Sequence, residues 1–317
     1  MNIIIDAMGG DNAPAEILKG AAQAVREYGV NITAVGDEAK IAAAAKENNI
    51  DMTGIRVVHA SEEISMCDEP TKAIRSKKDS SMVVGMRMLA DGEGDALVRA
   101  GLGAVFGTVI PGSVQPYLLI DAGANVECRP EMLNAFAVMG SAYVEKVLGR
   151  KDPSVGLVNN GTEETKGTPD YVAAHALLKQ NKTIRFVGNV EPKTIPEGSV
   201  DVIVCDGFVG NVVLKMTEGV AKSLMGELKN VFTASLLTKL AYLCVKPGLR
   251  AFKKRLDPDE HGGALMVGVS KPVIKAHGSS NAKAFANAIR QAKTCVENGV
   301  VDAMREKLAA VDDGGEV

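Results

Sequence analysis

Short apolar runs punctuate the chain, each ending at a polar or small residue, and stretches with apolar positions at helical spacing fill the intervals. The strand-like runs are Ile3 to Ile5, Ile32 to Val35, Ile55 to His59, Ala96 to Val98, Tyr117 to Ile120, Ser154 to Val158, Ile184 to Val187 and Val202 to Val204. Helical patterns run from Ala39 to Asn48, Glu131 to Leu148, Pro169 to Lys179 and Val212 to Leu228, and after Pro14 through Ile17, Leu18, Ala21, Ala22 and Val25. This alternation predicts an α/β protein with a doubly wound, mostly parallel sheet and helices on both faces. There is no fixed-period repeat, low-complexity stretch or Pro/Ser linker. A single α/β domain over residues 1–317 is therefore expected, with a soft subdivision near residues 148–153.

Three of these strands end alike. Ile3-Ile4-Ile5-Asp6 precedes Gly9-Gly10, Leu118-Leu119-Ile120-Asp121 precedes Gly123-Ala124-Asn125, and Val202-Ile203-Val204-Cys205-Asp206 precedes Gly207 and Gly210-Asn211. The carboxyl ends of parallel strands lie along one edge, where open α/β sheets bind ligands and where helix amino ends favour anions. The three loops are expected to surround one crevice. Two plainer readings stand beside this one: Gly9 and Gly10 as a tight turn only, and each Asp as a cap for its helix or turn.

Composition narrows the chemistry. Of 317 residues, 46% are hydrophobic, enough for a large core. Thirty-six basic against 39 acidic residues and no Trp argue against a nucleic-acid partner. The five cysteines, Cys67, Cys128, Cys205, Cys244 and Cys295, are scattered and form no C-x-x-C pair, which predicts neither a disulfide framework nor a zinc site. His59, His175 and His261 are equally dispersed. No apolar run is long enough to span a bilayer and no leader pattern precedes the first strand, so the expected setting is cytoplasmic.

Several segments, taken in order, carry a resemblance to a known family. They are Asp6-Ala7-Met8-Gly9-Gly10-Asp11, Asp68-Glu69-Pro70, Lys77-Lys78-Asp79-Ser80-Ser81-Met82 and Asp121-Ala122-Gly123-Ala124-Asn125-Val126. Further on come Gly161-Thr162-Glu163 with Lys166-Gly167, Gly188-Asn189-Val190-Glu191, Asp206-Gly207-Phe208-Val209-Gly210-Asn211-Val212 and Lys275-Ala276-His277-Gly278-Ser279-Ser280. Together they resemble, over nearly the whole chain, the PlsX family of bacterial phosphate acyltransferases of phospholipid synthesis. The resemblance implies transfer of an acyl group from acyl-acyl-carrier protein to inorganic phosphate. The fold expected is then an isocitrate/isopropylmalate dehydrogenase-like sheet with a protruding amphipathic helical hairpin. One departure is visible: after Ala100-Gly101 the family pattern continues through an Asn-Thr-Gly loop and a helix. Here Leu102-Gly103-Ala104-Val105-Phe106 runs almost directly into Gly107-Thr108-Val109-Ile110-Pro111, so about one helix and its loop are missing.

In such a reaction phosphate is the nucleophile, so no cofactor, metal or acyl-enzyme is expected. The protein must hold a dianion and stabilise a tetrahedral oxyanion. Lys166, in a polar loop after the strand ending at Val158, is the first candidate, and the resemblance implies an active-site lysine there; a loop lysine is otherwise simply solvated. Asn211 is the second, because it opens a helix whose dipole favours anions, although an Asn there also serves as a cap. Asp6, Gly9, Gly10, Asp121, Asn125, Glu163, Asp206, Gly210 and His277 are assigned to the same crevice for substrate or phosphate. The acids are expected to orient Lys166 and loop amides, since like charges repel. A serine-histidine site at His277 is disfavoured because no G-x-S-x-G elbow is present.

Residues 232–256 interleave Leu236, Leu237, Leu240, Leu243, Val245, Leu249 and Phe252 with Lys239, Lys246, Arg250, Lys253, Lys254 and Arg255. This pattern predicts two short amphipathic helices broken at Pro247-Gly248. Such a basic, apolar hairpin suits an anionic bilayer surface or an acidic carrier protein, and equally a dimerisation arm. The resemblance implies a homodimer peripherally bound at the inner face of the membrane, where a downstream glycerol-phosphate acyltransferase is a possible partner. Rival readings are a phosphotransacetylase-like enzyme on acyl-coenzyme A and a non-catalytic membrane scaffold. A nucleotide-dependent dehydrogenase fits less well, because Gly101-Leu102-Gly103 lacks the third glycine of G-x-G-x-x-G.

Overall fold

The computed structural model describes residues 1–64, 68, 70–100, 107–255 and 262–312. In chain order the elements are β1 (Asn2–Asp6), α1 (Ala15–Tyr28), β2 (Asn31–Gly36), α2 (Glu38–Glu47), β3 (Ile55–His59), α3 (Pro70–Ser76), α4 (Ser81–Ala90), β4 (Ala96–Ala100), β5 (Gly107–Ile110) and β6 (Tyr117–Ile120). There follow α5 (Pro130–Val147), β7 (Ser154–Val158), α6 (Pro169–Gln180), β8 (Arg185–Val190), β9 (Val202–Val204), α7 (Gly207–Thr233), α8 (Leu236–Arg255), β10 (Ala264–Met266), β11 (Val273–Ala276), α9 (Ala282–Glu297) and α10 (Val300–Asp312). Every strand-like run of the sequence forms a strand. The short β5, β10 and β11 carry too few residues to declare a period.

Among the described residues eleven strands join one sheet in the order β3-β2-β1-β4-β11-β10-β5-β6-β9-β7-β8. Strands β3, β2, β1, β4 and β11 are mutually parallel, as are β6, β9, β7 and β8. Between these blocks β10 is antiparallel to β11 and to β5, and β5 is antiparallel to β6. Three successive reversals make the blocks run in opposite senses. The expectation that the three Asp-bearing strand ends share one edge is corrected accordingly: β1 belongs to one block, β6 and β9 to the other. Sheet twist of about 20–25° per strand, accumulated from β1 to β9, offsets on the order of 120–150° of that reversal.

The two faces follow from the two-residue alternation of side chains. Ile3, Ile5, Val98, Ile274, Leu265, Ile120, Val204 and Leu157 share one buried core with residues of α1, α5, α6, α9 and α10. On the opposite face, Ile4, Leu97 and Val273 pack beneath Met88 and Leu89 of α4, and Leu119, Ile203 and Tyr117 lie under Val209, Val213 and Leu214 of α7. This second face is thus covered at two places by different helices.

α7 runs through residue 232, and α8 continues unbroken through Pro247 to Arg255, which corrects the expected break at Pro247-Gly248. The rings of Phe232 and Tyr242 stand 5.7 Å apart where α7 and α8 meet. Among the described residues no helix is long and apolar enough to cross a membrane.

At the opposite end of the second block, the buried Asp201 carboxylate accepts hydrogen bonds from the Ser154 amide at 2.8 Å, the Ser154 hydroxyl at 2.6 Å, Arg150 at 2.6 Å and Gln115 at 3.1 Å. Burial alone would raise its pKa, but the bonds from Ser154 and Arg150 outweigh burial and hold it below the ordinary carboxylate value. A depressed folded-state pKa contributes stability above the unfolded value and loses it as pH falls through the folded one. Asp201→Asn should therefore cost about 1.5–3 kcal/mol in urea unfolding at neutral pH. The deficit against wild type should shrink below pH 4; a pH-independent deficit would show that ionisation contributes nothing.

Candidate active site

The tightest packing at a candidate loop joins the Asp121 turn to the start of α7. Asp121 is fully buried, and its carboxylate accepts the amides of Gly123 at 2.9 Å, Ala124 at 2.8 Å and Asn125 at 2.8 Å, together with the Asn125 side chain at 2.9 Å. Its charge is taken up inside its own loop. Gly207 donates its amide to the Asn125 carbonyl at 2.6 Å, and a Cβ on Gly210 would overlap the Asp121 carbonyl oxygen. Only glycine fits there. Asn211, exposed, packs its side chain against Gly123, so Asp121, Asn125, Gly210 and Asn211 form one surface at the carboxyl ends of β6 and β9.

Asp206 caps α7, accepting the Val209 amide at 2.8 Å, and its second oxygen accepts the Tyr171 hydroxyl at 2.6 Å. The same hydroxyl accepts the Asp206 amide at 3.1 Å. Burial and the adjacent Asp206 carboxylate push the Tyr171 phenol well above its usual value, so it remains a donor. Tyr171 lies in the first turn of α6, directly after the Lys166 loop. That loop is pinned from below: Asn159 donates to the Lys166 carbonyl at 2.9 Å and Asn189 to the Glu163 carbonyl at 2.8 Å, while His175 holds Asn189 at 3.0 Å. The side chains of Glu163 and Lys166 both fold over Gly161, and Lys166 is exposed. The Lys166 loop and the start of α7, which carries Asn211, are thus tied together by the Tyr171–Asp206 pair.

The remaining candidates form a second group. Gly9 and Gly10 press against Ala100, with room for no Cβ, and Gly10 also abuts the Gly278 carbonyl; their tightness follows from this approach. The Asp11 amide donates to that carbonyl at 2.8 Å. His277 is exposed, its Nδ1 2.8 Å from the Ser279 hydroxyl. Asp6 is buried and lies 3.9 Å from the guanidinium of Arg99, itself 5% exposed. Arg99 pairs in register with Lys275 on the adjacent strand. Sequence reading missed both cations. The available signal was a charge inside an apolar strand, in Ala-Leu-Val-Arg-Ala and Val-Ile-Lys-Ala.

Charge links the two groups. The Lys275 ammonium is pushed below its usual pKa by burial and by the positive charges of Arg99 and Lys215. Lys215 lies one helical turn beyond Asn211, on the same face of α7. Nearby thiols are buried: burial and the charges of Asp121 and Asp206 raise Cys128 to about 11 and hold Cys205 well above the usual thiol value, which disfavours their thiolates. Among the described residues no group of three or more His, Cys, Asp or Glu is placed to hold a metal ion. The region after Gly101, residues 101–106, together with Cys67 and His261, lies outside the described residues.

On α8, Leu236, Leu240 and Leu243 are 81%, 63% and 61% exposed. Lys253 is exposed and Lys246 half-buried; the Lys254 side chain lies outside what is described.

This fold has close parallels among solved structures. A EutD phosphotransacetylase from Staphylococcus aureus superposes with a TM-score of 0.60 over 94% of each chain at 18% identity, and a phosphotransacetylase from Streptococcus pyogenes with 0.61, also over 94% of each, at 16%. The architecture is therefore that of a mixed α/β protein with the phosphotransacetylase-type sheet. At the level of sequence, curated phosphate acyltransferases align end to end: 44% identity with that of Desulfitobacterium hafniense strain DSM 10664 / DCB-2 over 97% of this chain and 98% of the relative, and 43% with that of Alkaliphilus oremlandii over 99% of each. The family model described as fatty acid synthesis protein matches residues 1–109 and 104–303. The chain belongs to that family, the PlsX phosphate acyltransferases, and is an acyltransferase. The two matched stretches overlap at residues 104–109, and the Alkaliphilus alignment runs over 332 positions against 317 residues here.

Tyr171→Phe removes the donor to Asp206 and the acceptor for its amide. It should cost about 1–3 kcal/mol in chemical unfolding. A loss below a few tenths would show that the two loops are not held by this pair.

Proposed function

We propose that the chain forms acyl phosphate from acyl-acyl-carrier protein and inorganic phosphate, in fatty acid and phospholipid synthesis. A phosphate oxygen attacks the thioester carbonyl carbon, the carbonyl π electrons move onto oxygen, and collapse of the tetrahedral adduct breaks the C–S bond. The carrier leaves as a thiolate and takes a proton from water. Lys166 and the Asn211 amide face the developing oxyanion, where preset donors act most strongly. Asp121, Asn125, Gly210 and Asp206 build that surface, Glu163 shares the Lys166 loop, and Asp6, Gly9, Gly10 and His277 belong to the opposing wall. The observation that carries this reading is the junction of the Lys166 loop with the amino end of α7 through Tyr171 and Asp206. The chain then acts as one catalytic domain, an isocitrate/isopropylmalate dehydrogenase-like sheet with a helical hairpin.

Lys166→Ala should lower phosphate-dependent thiol release by about a hundredfold or more, as for loss of an oxyanion donor. A folded variant with near-normal turnover would remove Lys166 from the mechanism. Acyl-carrier-protein and coenzyme A donors compared side by side separate this activity from the phosphotransacetylase-like alternative; no thiol release from either favours the scaffold.

A second part of the proposal concerns α8. Its exposed leucines, flanked by lysines and arginines, support a cytoplasmic enzyme peripherally bound to an anionic membrane as a homodimer, near a downstream glycerol-phosphate acyltransferase. Anionic liposomes should retain the wild-type chain, and Leu240→Glu with Leu243→Glu should release it; equal sedimentation of both would refute the membrane role.

A further inference from the structure

The Gly188-Asn189 pair of β8 lies away from the reacting atoms, and a local irregularity of the strand aims it. Against β7, Val155 pairs with Phe186 but Leu157 with Asn189, so β8 carries one extra residue there. Gly188 takes up the bulge at φ 98°, a left-handed conformation that suits glycine. Phe186 and Asn189, three residues apart, would point to opposite faces of a regular strand. The bulge turns both to the face of Val155 and Leu157, which share a core with Ala174 and Leu178 of α6. There they meet the buried imidazole of His175. The Phe186 ring stands edge-on to it at 5.1 Å, and Asn189 Oδ1 lies 3.0 Å from its Nδ1.

The direction of each hydrogen bond follows. The Glu163 carbonyl can only accept, so the Asn189 amide nitrogen faces it, at 2.8 Å, and the Asn189 oxygen faces His175. That oxygen also only accepts, so Nδ1 carries the hydrogen and donates. The other ring nitrogen stands 3.9 Å from the Glu164 carboxylate, beyond hydrogen-bond distance. The Glu163 carbonyl accepts the Lys166 amide as well, at 3.1 Å, which closes the turn that carries this lysine. One relay therefore runs from a buried ring on α6, through Asn189, to the backbone of Lys166.

We infer that His175 is the positioning residue of Lys166: its Nδ1–H fixes the Asn189 amide, which fixes the 163–166 turn that presents the ammonium. This deepens and rests on the proposed acyl transfer. His175 touches no reacting atom and acts only through the loop. A displacement of about 1 Å at a catalytic group can cost on the order of a hundredfold in rate, so loss of the relay falls on turnover.

The test uses two variants. His175→Phe keeps a ring beside Phe186 but has no donor; Asn189→Asp keeps the shape and still accepts from His175, but as a carboxylate cannot donate to Glu163. Hydrogen exchange at the Lys166 amide, read by NMR, should speed up about tenfold or more in both, with the β9 amides unchanged. Both should lower kcat for thiol release about tenfold or more, with KM for phosphate and for acyl donor within about twofold, because an oxyanion donor acts only in the transition state. In the Lys166→Ala background the same substitutions should lower kcat by less than about twofold, which general loosening of the fold would not produce. Should His175→Phe fail to fold, Asn189→Asp decides alone. Variants that keep Lys166 protection or wild-type kcat, or whose losses multiply in full with Lys166→Ala, overturn the positioning role. Faster Lys166 exchange in the variants, without any thiol release by wild type, upholds the relay and removes the acyl-transfer reading instead.

Discussion

The first turn of α7 lies on the Asp121 carbonyl so closely that a single methyl group at Gly210 could not be accommodated. That contact fixes the rest of the second wall. It sets the amino end of α7 against the 121–125 loop, places Asn211 over Gly123, and through the Asp206 cap reaches Tyr171 and the Lys166 loop. A few tenths of an ångström lost here would propagate to each donor, because every member is held by the next. Catalysis by preset donors needs this kind of rigidity, since a loose donor must be reorganised at the moment of reaction.

Charge is distributed to match. The acids at the strand ends are engaged with the protein itself: Asp121 with three loop amides, Asp206 with its helix and Tyr171. None needs a cation from the substrate. Cations stand beside both groups, Lys166 on a polar loop and Arg99, Lys275 and Lys215 on β4, β11 and α7. Carboxylates satisfied within the protein leave the strand ends free for a dianion and a developing oxyanion. The reversal of strand direction at β5 and β10 puts the Asp6–Gly10 group and the Asp121–Asn211 group on separate parallel blocks of the sheet.

Much of this was legible in the sequence for local reasons. Apolar runs that end in Asp and a glycine turn declared β1, β6 and β9 with their loops, and the Asp-to-amide spacing within each loop is a property of neighbouring residues. The reversal between the blocks was not legible. It depends on β10 pairing with β5 far away along the chain, through strands too short to show alternation. The same limit hid Arg99 and Lys275: a charge near a strand end reads as the end of the strand, and only register shows that two such charges adjoin. Pro247 misled for a different reason. An interior proline removes one helical donor and ordinarily breaks the helix, yet α8 runs on through it to Arg255.

The central physical claim is that Lys166, on its loop, and Asn211, in the second turn of α7, act on one developing charge and are held together by Asp206 and Tyr171. A double-mutant cycle in phosphate-dependent thiol release tests it most directly. Groups that serve one oxyanion lose their effects non-additively, so Lys166→Ala combined with Asn211→Ala should be little slower than the worse single variant. Losses that multiply in full would mean that the two residues work independently, and the shared site would be wrong.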